Sequence, residues 1–360
     1  MYNVTNLYFT LTILEENDVS ATLKDIAEEL NISVTAVSRA LRNMPDIGPE
    51  TTNLVKETAA RLGYRKNLAA RYLKTNKSMM LGIVVTDICN PVFSAIYKGI
   101  ERPCIEGNYT LMLGNSNENA EEESSIINNM LDHGVDGIFL VPSMKDSHTL
   151  SQIKNANIPY VILQRKFPNI STNCVQSNDY EGGYLAAQHL YQLGHRHFLY
   201  VSAPMYISSA KERYNGFMAF LNEMGLKKDV IQILECDGTR SGSYKVVKKW
   251  LEKHSDLSHL NASAIFCFSD YMAYGVYSAI AKYNLRIPED ISVIGYDNNE
   301  YSDMTLPALT TIDIHPYKIG TRAAKMMFDL INTKNSNEDH VEVVISPKLI
   351  LRNSTAQSPY

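Results

Sequence analysis

Residues 22–43 constrain this chain more than any other stretch, because they carry two short helical patterns separated by a tight turn. Thr22 and Asp25 have the spacing of a capping box, in which a hydroxyl and a carboxylate satisfy backbone donors left open at a helix start. Leu23, Ile26, Ala27 and Leu30 follow at helical spacing as one apolar stripe, which the Asn31-Ile32-Ser33 turn interrupts. Ser33 can cap a second helix. On it Val37, Ala40 and Leu41 point to a small core, and Val34, Thr35, Ser38 and Arg39 point outward. A short helix presenting small polar residues and an arginine fits a DNA major groove. The same spacing also describes an ordinary helical hairpin with a solvated Arg39.

Downstream residues favour the first reading. Pro49 at a first helical turn and Gly63 after the last periodic residue bracket a third helix, about Pro49 to Leu62, with Val55, Ala59 and Leu62 inward. Residues 67–74 form a further helix-length segment, too isolated to bury its own apolar side chains. In order and spacing, Thr22-Leu-Lys-Asp-Ile-Ala27, Val37-Ser-Arg-Ala-Leu41, Leu62-Gly63-Tyr64 and Ala70-Arg71-Tyr72-Leu73-Lys74 resemble the LacI/GalR family of bacterial transcription regulators. The resemblance implies that residues 67–74 are a hinge helix. In a dimer it would enter the minor groove of a near-palindromic double-stranded DNA operator, with Leu73 as an apolar wedge. Lys66 replaces a proline ahead of that hinge, and Arg42-Asn43 stands where Asn-Gly is usual, so operator sequence and hinge folding differ from the common pattern.

Charge follows the same division. Residues 21–78 hold ten Lys and Arg against six acids, whereas the whole chain carries −5, so a basic head sits on an acidic body. The 282 residues after position 78 are far more than a DNA-binding head needs. No hydrophobic run is long enough to span a bilayer, and five scattered cysteines without a CxxC pair suit reduced thiols in a cytoplasm.

Apolar runs at 81–85, 137–141, 159–163, 198–201, 264–268 and 291–295 have the pattern of strands buried on both faces. Helix-length amphipathic segments lie between them, at 91–107, 120–133, 180–193, 210–224 and 272–283. The expected fold class is α/β: a small all-α helix-turn-helix head plus a two-subdomain, periplasmic-binding-protein-like core with parallel sheets, the second part implied by the resemblance. Its motifs continue through Asp87-Ile-Cys-Asn-Pro91, Gly134-Val-Asp-Gly137, Ile287-Pro-Glu-Asp-Ile-Ser292 and Gly295-Tyr-Asp297. The expected division is a leader at 1–20, the head at 21–66 and a hinge and linker at 67–78. The core follows at 79–354, with subdomains 79–177 plus 312–340 and 178–311 plus 341–354, and then a tail at 355–360.

The resemblance also places an effector cleft. Phe93 follows the Asn-Pro turn where the family often sets an aromatic against the ligand, although a core aromatic would look the same. Arg213 matches the family's ligand-clamping arginine, whose fork suits paired hydroxyls or a carboxylate; a surface ion pair is the alternative. Asp297 ends a strand and can accept from two hydroxyls or hold its own turn. Ser269 and Asp270 end another strand, and Asp270 can equally cap the next helix. Gln164 stands where an acid is frequent. No catalytic set and no metal-ligand spacing are visible, and no cofactor is expected.

The chain is therefore expected to be a cytoplasmic, homodimeric or tetrameric repressor controlled by a small-molecule effector, a sugar by the family's example. The apolar faces of the helices after Pro91 and at 272–283 would form the two-fold interface. A periplasmic sugar-binding protein would lack the head and carry an export signal, and an enzyme on the same core would need groups that are absent from the pattern. Residues 1–20 are β-prone without a basic region, and are expected to be disordered or not native.

Overall fold

A computed structural model describes residues 21–65, 77–143, 147–167, 169–253, 261–333 and 340–359. The leader, the hinge segment and Leu73 lie outside the described residues. The described chain forms two compact units, one on each side of Asn76.

In the first unit the capping box is formed. Thr22 N–H donates to Asp25 Oδ2 at 2.7 Å while Asp25 N–H donates to the Thr22 hydroxyl at 3.4 Å, and helix α1 (Leu23–Leu30) starts there. It stops at Asn31, whose left-handed φ of 51° turns the chain. Ser33 then caps α2 (Val34–Ala40) by accepting from Ala36 N–H at 3.1 Å. Helix α3 (Pro49–Arg61) begins with proline in its first turn, where a missing N–H costs nothing. Ile26, Ala27, Val37, Ala40, Val55 and Ala59 make the shared core, and a Glu29–Arg61 ion pair ties α1 to α3.

The second unit holds two six-stranded sheets. In chain order the elements of the first are β1 (Met80–Val85), α4 (Pro91–Glu106), β2 (Thr110–Asn115), α5 (Ala120–Asp132), β3 (Ile138–Leu140), α6 (His148–Asn155), β4 (Tyr160–Leu163) and β5 (Cys174–Ser177). The second subdomain follows with α7 (Asp179–Gln192), β6 (Phe198–Ser202), α8 (Ser208–Glu223), β7 (Ile231–Glu235), α9 (Arg240–Glu252), β8 (Ala264–Cys267), α10 (Asp270–Lys282), β9 (Ser292–Asp297) and β10 (Thr310–Asp313). The chain then returns through α11 (Pro316–Asn332) to β11 (Glu342–Ile345), and ends with β12 (Lys348–Ile350). The sheet orders are β11-β5-β4-β3-β1-β2 and β12-β10-β9-β8-β6-β7, parallel throughout except where β12 meets β10.

These pairings move two expected boundaries. Residues 341–345 join the first sheet, not the second, because β11 pairs with β5 from Glu342↔Cys174 to Ile345↔Ser177. Residues 312–313 stay in the second sheet, because β10 pairs with β9 through Asp313↔Asp297. The chain thus crosses near residues 178, 315 and 347. The end of the chain is held by hydrogen bonds. Ser354 accepts from Thr310 N–H at 2.8 Å through its hydroxyl, and Ser358 N–H donates to Leu193 O at 2.7 Å, so the last residues are bound to the second subdomain.

Two glycines set how closely α7 and α8 meet within the second subdomain. A Cβ on Gly183 would meet Arg213 O at 2.0 Å, and one on Gly216 would meet Tyr180 O at 1.8 Å. Helices α7 and α8 therefore touch backbone to backbone, which brings Asp179 to Arg213. Helix α4 packs on α11 by a similar Gly99–Gly320 approach, and α10 packs on α9, so part of the apolar surface expected for a two-fold interface is covered within the chain.

Candidate functional site

The strands of both sheets end on a cavity of about 360 Å³, the size of a small-molecule site in this kind of open parallel sheet. The first subdomain lines it with Asp87, Asn90 and Phe93 after β1, Asn117 and Glu118 after β2, and Gln164 and Arg165 after β4. The second supplies Ser209 and Arg213 from α8, Asp237 and Thr239 after β7, Phe268 after β8, and Asp297.

Arg213 is the best-held side chain in this wall. Its Nε donates to Asp179 Oδ1 at 2.8 Å, its Nη1 donates to the Phe268 carbonyl, and its Nη2 lies 3.7 Å from Asp297 Oδ1. The guanidinium stacks over Tyr296 at 3.6 Å and Phe268 at 4.4 Å. Burial opposes its charge, but Asp179 and Asp297 outweigh that and raise its pKa. Burial in turn pushes the carboxyls of Asp179 and Asp297 up against the pull of Arg213. Asp297 has a φ of 102° and Gln164 one of 61°, left-handed conformations rare for such residues, and both line the cavity.

Four expected cleft residues thus come together: Phe93, Gln164, Arg213 and Asp297. Phe93 lines the cavity and also belongs to the apolar core. Gln164 Oε1 accepts from Ser177 N–H at 3.2 Å and so braces the first crossing as well. Ser269 and Asp270 are corrected. The Ser269 hydroxyl caps α10 through Met272 N–H at 3.2 Å. Asp270 is fully buried beside the cleft, accepting from Ser302 and Thr311 hydroxyls at 2.6 Å each and from Asn299 N–H at 2.9 Å. Burial pushes its carboxyl up to about 6 against those hydrogen bonds. Asp179, Glu118, Asp237 and Phe268 were not singled out from sequence. Strand β7, which positions Asp237, is an exposed edge strand without a continuous apolar run, so the signal for its end was weak.

On the head, Val34 and Thr35 are exposed, and Ser38 and Arg39 half-buried, on the outer face of α2. Arg39 Nη2 pairs with Asp46 at 2.7 Å, while its Nε is buried without a partner.

Residues 22–67 match the family model described as bacterial regulatory proteins, lacI family, and residues 78–356 match periplasmic binding proteins and sugar binding domain of LacI family. The chain belongs to the LacI family. The HTH-type transcriptional repressor PurR of Pasteurella multocida strain Pm70 is 32% identical over 335 residues, 93% of this chain and 98% of that protein. PurR of Escherichia coli O127:H6 is 32% identical over 342 residues, 94% and 98% of the two chains. A LacI family transcriptional regulator from Enterococcus faecium with bound ribose superposes with a TM-score of 0.68 at 28% identity, covering 77% of this chain and 99% of that one. The lac repressor dimer bound to operator and the anti-inducer ONPF gives 0.79 over 93% of this chain and 99% of its own, a likeness of fold at 23% identity. This LacI family member is a DNA-binding transcription regulator with an effector-binding core.

Proposed function

We propose that the protein is a cytoplasmic, homodimeric transcriptional repressor whose affinity for a near-palindromic operator is set by a sugar bound between the core subdomains. The observation that carries this is the union, on one chain, of a helix-turn-helix with an exposed second-helix face and a cleft with Arg213 and Asp297 on one wall and Gln164 on the other. Carboxylate, amide and guanidinium groups around Phe93 and Phe268 suit a ring of hydroxyls with apolar faces. The ribose held by the Enterococcus faecium relative supports the same class. The protein acts by binding, not turnover.

The test is calorimetry of the full chain against a panel of sugars, with operator affinity measured beside it. Arg213→Ala and Asp297→Ala should each weaken effector binding by about 2 kcal/mol or more, because buried partners are left unpaired, while operator affinity without effector stays within error. Thermal melts separate the roles: undiminished effector affinity in both folded variants removes the clamp, and a large fall in melting temperature for Asp297→Ala reassigns it to structure. Absence of sequence-selective DNA binding removes the repressor.

A further inference from the structure

The charge balance of the cleft narrows the ligand class, on the reading that this cavity holds the effector. Four carboxylates line it, Asp87, Glu118, Asp237 and Asp297, against two guanidiniums. Both cations are committed within the protein. Arg165 grips Glu118 by a fork of 2.9 and 2.5 Å and gives another Nη1 hydrogen to the Pro142 carbonyl at 2.7 Å. Arg213 is held between Asp179 and Asp297. An anionic group that approached either guanidinium would meet carboxylates already in place. Even with Asp297 protonated, the other three lining carboxylates outnumber the two cations.

We infer that the effector is an uncharged, hydroxyl-rich molecule, and that phosphorylated or carboxylated forms are excluded from the cleft. A hydroxyl can donate to Asp87, Asp237 or Asp297, which a fully ionised phosphate or carboxylate cannot. The apolar part of such a ring has Phe93 and Phe268 beside it.

Two measurements on the full chain test this. Calorimetry compares ribose with ribose 5-phosphate, glucose with glucose 6-phosphate, adenosine with AMP, and hypoxanthine. Binding by the uncharged, hydroxylated members alone is expected. A phosphorylated member that binds as well as its partner overturns the inference, as does hypoxanthine binding without any hydroxylated ligand. The second measurement needs no ligand. Cys89 is an exposed thiol between lining residues Asp87 and Asn90. Its labelling rates with trimethylammonium and sulfonate methanethiosulfonates, relative to free 2-mercaptoethanol, report the local potential. The cationic reagent should be favoured by about tenfold, and Asp237→Asn should reduce that preference. Arg240, a cation outside the lining that acts on Tyr271 together with Asp87 and Cys89, is removed in Arg240→Gln as a control. Equal or anion-favoured labelling in that control overturns the inference. If no panel member binds, the sugar reading fails while the labelling still decides the charge class.

Discussion

Arg39, on the outer face of α2, is held by a neighbour in the loop that follows. In the unbound head its charge is answered by Asp46 at 2.7 Å, with both side chains partly exposed, so the pair is weak and easily exchanged for a base edge. If Arg39 reads a base, Arg39→Ala should cost about 1 to 3 kcal/mol on the operator and much less on random DNA. Asp46→Asn should do the reverse, strengthening random-sequence binding and steepening its salt dependence, because a cation is released toward phosphates. Fluorescence anisotropy over a salt series checks both; an equal loss on both DNAs for Arg39→Ala would make it a phosphate contact only. Arg39 was legible from helical spacing, since a period of 3.6 names the outer face. Asp46 was not, because it lies in the loop after α2, where no periodicity applies.

At the scale of elements, what sequence revealed was what is buried on both faces. Strands β1, β3, β4, β6, β8 and β9 are continuous apolar runs and were found, whereas the edge strands β2 and β7, which carry exposed residues, and the buried β5 and β10, whose Cys174-Val-Gln-Ser177 and Thr310-Thr-Ile-Asp313 are not apolar runs, were missed. The final residues were missed for another reason, because their order comes from long-range hydrogen bonds. His195 is fully buried, with its Nδ1 2.8 Å from the Ser263 hydroxyl and its Nε2 3.0 Å from the Ala356 carbonyl, so it fastens the C-terminal residues to the second sheet. Burial lowers its pKa to about 4, while an unfolded histidine takes its proton near 6.5. Acid therefore favours the unfolded chain: the contribution of His195 is complete above pH 6.5 and is lost as pH falls toward 4. Asp270 acts in the opposite sense, adding stability as pH falls through about 6 toward its unfolded value of 3.8. Comparison with His195→Gln isolates the histidine. Between pH 7.5 and 5.0 the stability gap between wild type and variant, read from Trp250 fluorescence in urea, should narrow by about 2 kcal/mol. A gap that does not change with pH would show that His195 takes up its proton equally readily in the folded and the unfolded chain, and a gap that widens would show that the fold favours the protonated ring.

For the whole molecule, the chain that enters the core at residue 77 is the covalent link between the DNA-binding head and the effector-binding core. That entry is fixed to the first subdomain. Ser78 N–H and Met79 N–H donate to the two oxygens of Asp136 at 2.8 and 3.0 Å, and the Ser78 hydroxyl joins them at 3.1 Å. If effector binding rotates this subdomain, Ser78 and Met79 are held to move with it. An effector can change operator affinity only through its differential affinity for the two core arrangements, and linkage requires operator to change effector affinity by the same factor. Asp136 lies outside the cavity lining and outside the head, so Asp136→Ala should leave effector affinity of the DNA-free protein unchanged and operator affinity without effector nearly so. The coupling factor, ordinarily about 5 to 150, should fall toward one. Measuring operator affinity with and without effector, and effector affinity with and without operator, gives that factor twice in each protein. A full coupling factor in a folded Asp136→Ala variant would show that the signal leaves the core by another route.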